Sequence, residues 1–163
     1  MRAERFTPAV AFVGHADSGR ATLAAQVARY FHGRSLRVLA VVEAESPSDD
    51  LREKFAVAGA SDVRFASGPG TPAGGFDPEG AFDVVVAVGF ARSDAPKVFV
   101  FRTEEQAAEL ERAVPPVVAA VTKGIFSKEN EAGISVYYFH ELDELVDELS
   151  RRLLTGNSPS DIV

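Results

Sequence analysis

AVAFVGHADSGRATLAAQVARYF, residues 9–31, decides how the rest of the chain is read. Ala9-Val10-Ala11-Phe12-Val13 is an unbroken apolar run that stops at Gly14, the pattern of a strand buried on both faces. From Arg20 the period changes. Leu23, Val27, Tyr30 and Phe31 recur at helical spacings of three and four, and Gly33 is the expected stop. Between the strand and the helix, Gly14-His15-Ala16-Asp17-Ser18-Gly19-Arg20-Ala21-Thr22 keeps the glycine spacing of the phosphate loop G-x-x-x-x-G-K-[ST].

That spacing has a physical purpose. The glycines allow a tight turn and a close backbone approach, so several N–H groups can face one anion. The helix start adds partial positive charge. Gly14, His15, Asp17, Ser18, Gly19, Arg20, Ala21 and Thr22 are therefore the expected ligand-binding set, with Asp17 and Ser18 also candidate helix caps. Two positions depart from the pattern. Arg20 stands where lysine is usual; it keeps the charge on a planar, bulkier group. Ala21 stands where a hydroxyl normally holds Mg²⁺, and it offers no oxygen. Thr22 comes one residue late and should point about 100° around the helix. Mg²⁺ binding is expected to be weak or absent, and hydrolysis at most very slow, because metal and charge placement supply most of phosphoryl-transfer catalysis. The bland alternative is a strand–helix turn with no ligand.

Outward from this stretch, strands and helices alternate. Leu36–Val42 reads as a second buried strand, and Ser48-Asp49-Asp50 offers caps for a helix from Leu51 to Ala58 ended by Gly59. Val63–Phe65 is a weak strand. Residues 67–80, SGPGTPAGGFDPEG, read as a mobile loop. Phe82–Val88 is the strongest strand signal, followed by a strand at Val98–Phe101. Thr103-Glu104-Glu105-Gln106 matches a capping box and predicts a helix to about Arg112, broken by Pro115-Pro116. Val117–Val121 and Ile134–Phe139 are the last strands, and Glu141–Leu154 is a closing helix with one apolar face. The expectation is a single three-layer α/β domain over residues 1–154, P-loop NTPase-like, its mostly parallel sheet covered by helices on both faces. Residues 155–163 are expected to be a flexible C-terminal tail.

Composition narrows the function classes. The chain has 163 residues, enough for one core, and a formal charge of −7, which argues against a broad nucleic-acid surface. It has no cysteine, which removes disulfides, thiolate metal sites and cysteine nucleophiles. Met1–Phe6 carries Arg2, Glu4 and Arg5 and does not resemble a secretory signal. No apolar run reaches the roughly 20 residues that cross a bilayer. A cytoplasmic protein without membrane attachment is the expectation.

Four stretches resemble the MobB family, the small GTP-binding accessory proteins of molybdopterin guanine dinucleotide synthesis. They are the opening loop and helix with RVLAVVE after it; Leu51–Ala60, ending Ala-Gly-Ala; Asp83–Phe90 followed by Ala95-Pro96-Lys97-Val98; and Pro116–Thr122. Order and spacing hold from about Ala9 to Leu153. The resemblance implies GTP as ligand, a homodimer, and a molybdenum-cofactor biosynthesis enzyme or molybdoenzyme as partner. The departures fall at ligand-handling positions. The family has an acidic residue where Val88 precedes Gly89-Phe90, Lys-His where this chain has Glu43-Ala44, and often aspartate where Lys123 follows Thr122.

The remaining polar residues have plain readings. His32 sits at a helix end, where a cation suits the dipole, and His140 precedes the last helix. His15, His32 and His140 lack metal-ligand spacing, so no metal site is expected, and no catalytic residue is assigned. Glu43 and Lys123 both follow strands and are candidates to pair with each other. Two functions remain from sequence: a MobB-like accessory protein binding GTP or a related phosphate ligand with impaired or absent hydrolysis, or a non-catalytic interaction scaffold with an empty loop.

Overall fold

A computed structural model describes residues 7–15, 18–66, 77, 80–122 and 134–155. Most of the loop expected at 67–80, Lys123, and the tail beyond residue 155 lie outside the described residues. Seven strands form one sheet: β1 (Ala9–Gly14), β2 (Val38–Glu43), β3 (Asp62–Ala66), β4 (Val84–Val88), β5 (Lys97–Phe101), β6 (Val117–Thr122) and β7 (Val136–Tyr138). Their order is β3-β2-β4-β1-β5-β6-β7, and every neighbouring pair is parallel. The helices are α1 (Arg20–Gly33), α2 (Asp49–Val57), α3 (Glu104–Ala107) and α4 (Leu142–Ser150).

Strand alternation divides the core in two. Val10 and Phe12 face α1 with Val38, Ala40, Val42, Val86 and Val88, and this layer is sealed by Leu23, Val27, Phe31, Phe55, Leu145 and Leu149. Ala9, Ala11 and Val13 face the opposite way with Leu39, Val41, Val85, Phe99 and Phe101, under Phe90, Ala95, Ala107 and Leu110. Parallel crossovers are right-handed, so connections running toward opposite edges land on opposite faces. α1 and α2 lead toward the β3 edge, α3 leads toward β7, and α4 returns to pack on α1. The crevice therefore opens at the carboxyl end of β1, where the chain direction across the sheet reverses.

Several local expectations change. α1 runs through Gly33, and the left-handed turn falls on Ser35 at φ 67°. The helix predicted from Thr103 is α-helical only to Ala107 and continues as a 3₁₀ turn over Ala108–Arg112. Its capping box is half made: Thr103 Oγ1 accepts from Gln106 N–H at 3.1 Å, while Gln106 Oε1 accepts from Arg102 N–H at 2.8 Å rather than from Thr103. The last strand is shorter than Ile134–Phe139, because Phe139–Glu141 is already a 3₁₀ turn leading into α4.

One buried carboxylate anchors the start of β4. Asp77 accepts from the Thr7 hydroxyl at 2.6 Å and from the Phe82 and Ala81 N–H groups at 3.0 and 3.1 Å. Burial opposes its charge, but the Thr7 hydroxyl and the two N–H groups outweigh it and hold the carboxyl below the ordinary range. Asp77→Ala should cost about 2 kcal/mol at neutral pH, read by urea denaturation. Because the folded pKa is depressed, this stabilisation is complete above the unfolded value of about 3.9 and fades as pH falls through the folded value. A native-minus-variant difference that stays constant on acidification would contradict the assignment.

Candidate functional site

β1 ends against its neighbour. Gly14 has φ +133°, and a Cβ there would lie 2.3 Å from the Val100 carbonyl oxygen of β5. The loop then turns, with Ser18 N–H donating to the His15 carbonyl at 3.0 Å. Gly19 is left-handed at φ 92° and is itself the N-cap of α1. Among the described residues no side chain caps this helix, so Ser18 does not take the capping role expected of it, and Asp17, the other expected cap, lies outside them. The first-turn N–H groups, which an N-cap side chain would ordinarily meet, are left to the loop side.

Ser18 is fully buried, and its hydroxyl is the buried side-chain atom without a hydrogen-bond partner among the described residues. A buried hydroxyl left unpaired costs about 1–3 kcal/mol. An orphan donor, glycine-permitted curvature and an uncapped helix start together suit a small anion. His15 is exposed beside them; Ala16 and Asp17, the middle of the loop, lie outside the described residues.

Arg20 folds back rather than outward. Its guanidinium donates to the Gly14 carbonyl at 3.0 Å. Burial lowers its pKa, and the negative charge of Glu43 works the other way. Ala21 packs partly buried against the core on the α1 side. Thr22 points away from the loop, as its helical offset requires: its hydroxyl accepts from Lys54 Nζ of α2 at 3.0 Å.

Glu43, at the end of β2, supplies the other charge at this edge. Its Oε1 accepts from Phe90 N–H at 2.8 Å. Phe90 is buried with φ 61°, a conformation few non-glycine residues adopt, and the Glu43 bond helps hold it. Gly89 before it has φ 92°, and a Cβ there would lie 2.6 Å from Glu43 Oε1. Gly89 N–H donates to the Phe12 carbonyl at 3.0 Å, which sets this turn beside the end of β1. The expected partner Lys123 lies outside the described residues; the contact found for Glu43 is main-chain. Val88, where a carboxylate would face the crevice, is buried in the core on the α1 side.

Lys97 is a polar site that sequence reasoning misses. It opens β5 fully buried, and its Nζ donates to the carbonyls of Ser93 at 2.5 Å and Ala95 at 3.0 Å. Burial pushes its pKa down, partly opposed by Asp94. A cation starting the apolar run Lys97-Val98-Phe99-Val100-Phe101 is the available signal. Lys97 also lines a cavity of about 260 Å³ with Val13, Gly14, Phe99 and Arg112. A larger open groove of about 690 Å³ lies along α1 between Tyr30 and Phe139. The other histidines are exposed and have local ring neighbours: a Cβ on Gly59 would meet the His32 ring at 2.5 Å, and His140 stacks on Tyr138 with ring centres 5.6 Å apart.

Among the described residues the positions expected to hold Mg²⁺ carry no free oxygen donor; Asp17 lies outside them. Ala21 and Val88 bring no oxygen, Thr22 is turned toward Lys54, and one Glu43 oxygen holds Phe90 N–H. Among the described residues no group of three His, Asp or Glu is placed to hold a metal, and no helix is long and apolar enough to cross a membrane.

No family model matches the sequence, and no curated protein matches it. Solved structures do. A MobB protein homolog from Bacillus stearothermophilus superposes with a TM-score of 0.60 at 19% identity, covering 88% of this chain and 96% of that one. A molybdopterin-guanine biosynthesis protein B (mobB) gives 0.57 at 19% identity, covering 89% and 99%. Bacillus subtilis MobB gives 0.53 at 16% identity, covering 90% and 98%. The chain has the MobB fold over nearly the full length of each.

Proposed function

We infer that this chain is a MobB-like accessory protein of molybdenum-cofactor assembly that binds GTP or a related phosphate ligand in the loop from Gly14 to Thr22 without efficient hydrolysis. The observation that carries the reading is the buried Ser18 hydroxyl, without a partner among the described residues, beside the glycine-capped start of α1 and Arg20. The fold shared with MobB structures supports the accessory role, and the missing metal ligands support impaired turnover. A homodimer working in the cytoplasm beside a cofactor-assembly enzyme belongs to the same reading.

Titration calorimetry with GTP and GDP, with and without Mg²⁺, tests it, alongside a phosphate-release assay. Arg20→Gln should weaken binding about ten-fold, the loss of one charge-assisted contact, while leaving the fold intact. Brisk Mg²⁺-dependent GTP cleavage would refute the impaired-hydrolysis part.

The second reading is a scaffold with an empty loop. It is favoured by Arg20, whose guanidinium is already engaged by the Gly14 carbonyl. In that case no phosphate compound binds, and Arg20→Gln leaves partner binding unchanged.

A further inference from the structure

α1 carries a glycine that its own structure does not require. The other described glycines, Gly14, Gly19, Gly59, Gly80 and Gly89, have φ between +68° and +133°. Gly33 is not left-handed, and a Cβ there would meet nothing within 4 Å. The residue that does turn left-handed is Ser35, φ 67°, where glycine usually ends a helix. Its N–H donates to the His32 carbonyl at 2.9 Å, and Leu36 N–H donates to the Phe31 carbonyl at 3.2 Å. Glycine within a helical turn weakens it relative to alanine. A local cost without a local reason points to something outside the chain that needs the space.

The space opens into the groove of about 690 Å³ between α1 and the turn at Phe139-His140, a size that suits a small ligand. Arg29 and Tyr30 lie one helical turn before Gly33 and share its face. Arg29 is exposed, and its guanidinium has no hydrogen-bond or ion-pair partner among the described residues. Arg34, by contrast, is taken by Asp147 and Ser150, each at 2.8 Å. Asp143 holds the Tyr30 hydroxyl, and His140 is stacked on Tyr138. The groove therefore combines aromatic walls, one uncommitted cation and an open floor.

We propose that this groove binds a planar aromatic anion, with its ring over Gly33 between Tyr30 and Phe139 and its negative group on Arg29. Aromatic side chains receive a flat ring, and a guanidinium pairs with a carboxylate, sulfonate or phosphate. The site is separate from the loop between β1 and α1 and does not depend on phosphate binding there. The chain has a net charge of −7, so an anion has to be held by local contacts rather than by a general attraction.

The probes are anilinonaphthalene sulfonate and the uncharged phenylnaphthylamine, which keeps the rings and lacks the sulfonate. Fluorescence titration of the full chain reads both. The native protein should bind the sulfonate about ten-fold more tightly than the uncharged probe. Arg29→Gln should weaken the sulfonate about ten-fold and leave the uncharged probe within about two-fold. Gly33→Met, whose side chain would fill the floor, should weaken both about ten-fold. Gly33→Ala should raise the urea midpoint, because no internal contact opposes the added methyl. Sulfonate binding unchanged in Gly33→Met places the probe elsewhere and overturns the proposal. A sulfonate preference that survives Arg29→Gln overturns it too, as does native protein that binds neither probe. A lowered midpoint in Gly33→Ala removes the premise, because the glycine would then serve the fold.

Discussion

Gly14→Val is expected to remove a large share of the protein's stability. Gly14 sits at φ +133°, and even the first added carbon would lie 2.3 Å from the Val100 carbonyl oxygen, a main-chain atom of the paired strand that no rotamer change can move. Gly14 is level with Val100 in the β1–β5 ladder, so relief requires separating two central strands of the sheet. Backbone strain of about 1–3 kcal/mol adds to overpacking of similar size. Together they take a large share of the roughly 5–15 kcal/mol that holds a domain of this kind. Gly14→Ala should already shift the urea midpoint strongly, and valine should be worse because its branched carbon brings more atoms to the same place. A valine variant as stable as the native protein would mean that β1 and β5 do not approach as described.

Lys97→Met should destabilise the protein by about 2 kcal/mol at neutral pH and loosen residues 89–96. Methionine fills much of the same space but donates nothing, so the Ser93 and Ala95 carbonyls lose their shared partner. Removal of a buried charge offsets part of that loss, which keeps the expected cost below that of two orphaned acceptors. Burial depresses the Lys97 pKa in the folded state. Below the folded value both states hold the proton, and the burial cost is present in full. Between the folded value and the unfolded one, near 10.4, the unfolded chain holds more protons, so native stability rises with pH. Lys97→Met should lack that alkaline rise, which is seen by comparing denaturation curves of the two proteins across the alkaline range. Faster proteolysis between Phe90 and Ala95 would report the loosened loop directly; equal proteolysis and equal stability would show that Lys97 is a bystander.

The turn that Lys97 secures contains Gly89 and Phe90, so the two polar anchors of this edge act on one segment. Glu43 holds it from β2 and Lys97 from β5. The Lys97 contacts reach back only two and four residues, but the Glu43 contact does not follow from the spacing of residues along the chain. Glu43 and Phe90 are 47 positions apart and meet because β2 and β4 are neighbours in a sheet whose order differs from the order of the sequence. Thr22 illustrates the opposite case. Its displacement from the loop follows from helical geometry alone, and the structure adds only the identity of its partner, Lys54.

By itself the sequence determined the strand–loop–helix opening, the parallel α/β class, and the placing of Ala21 and Val88, side chains without oxygen, at the helix start and at a strand end. Those features are local: apolar runs, helical periods and glycine spacings constrain a few consecutive residues whatever lies around them. Only the tertiary structure decided where the remaining polar groups went. It left Ser18 without a partner among the described residues, folded Arg20 onto Gly14, set Glu43 against Phe90, and buried Lys97 beneath its own loop. The reason is that a buried donor or acceptor takes whichever counterpart the fold brings to it, and for Glu43 and Phe90 strand order sets that meeting at a distance the sequence pattern does not encode.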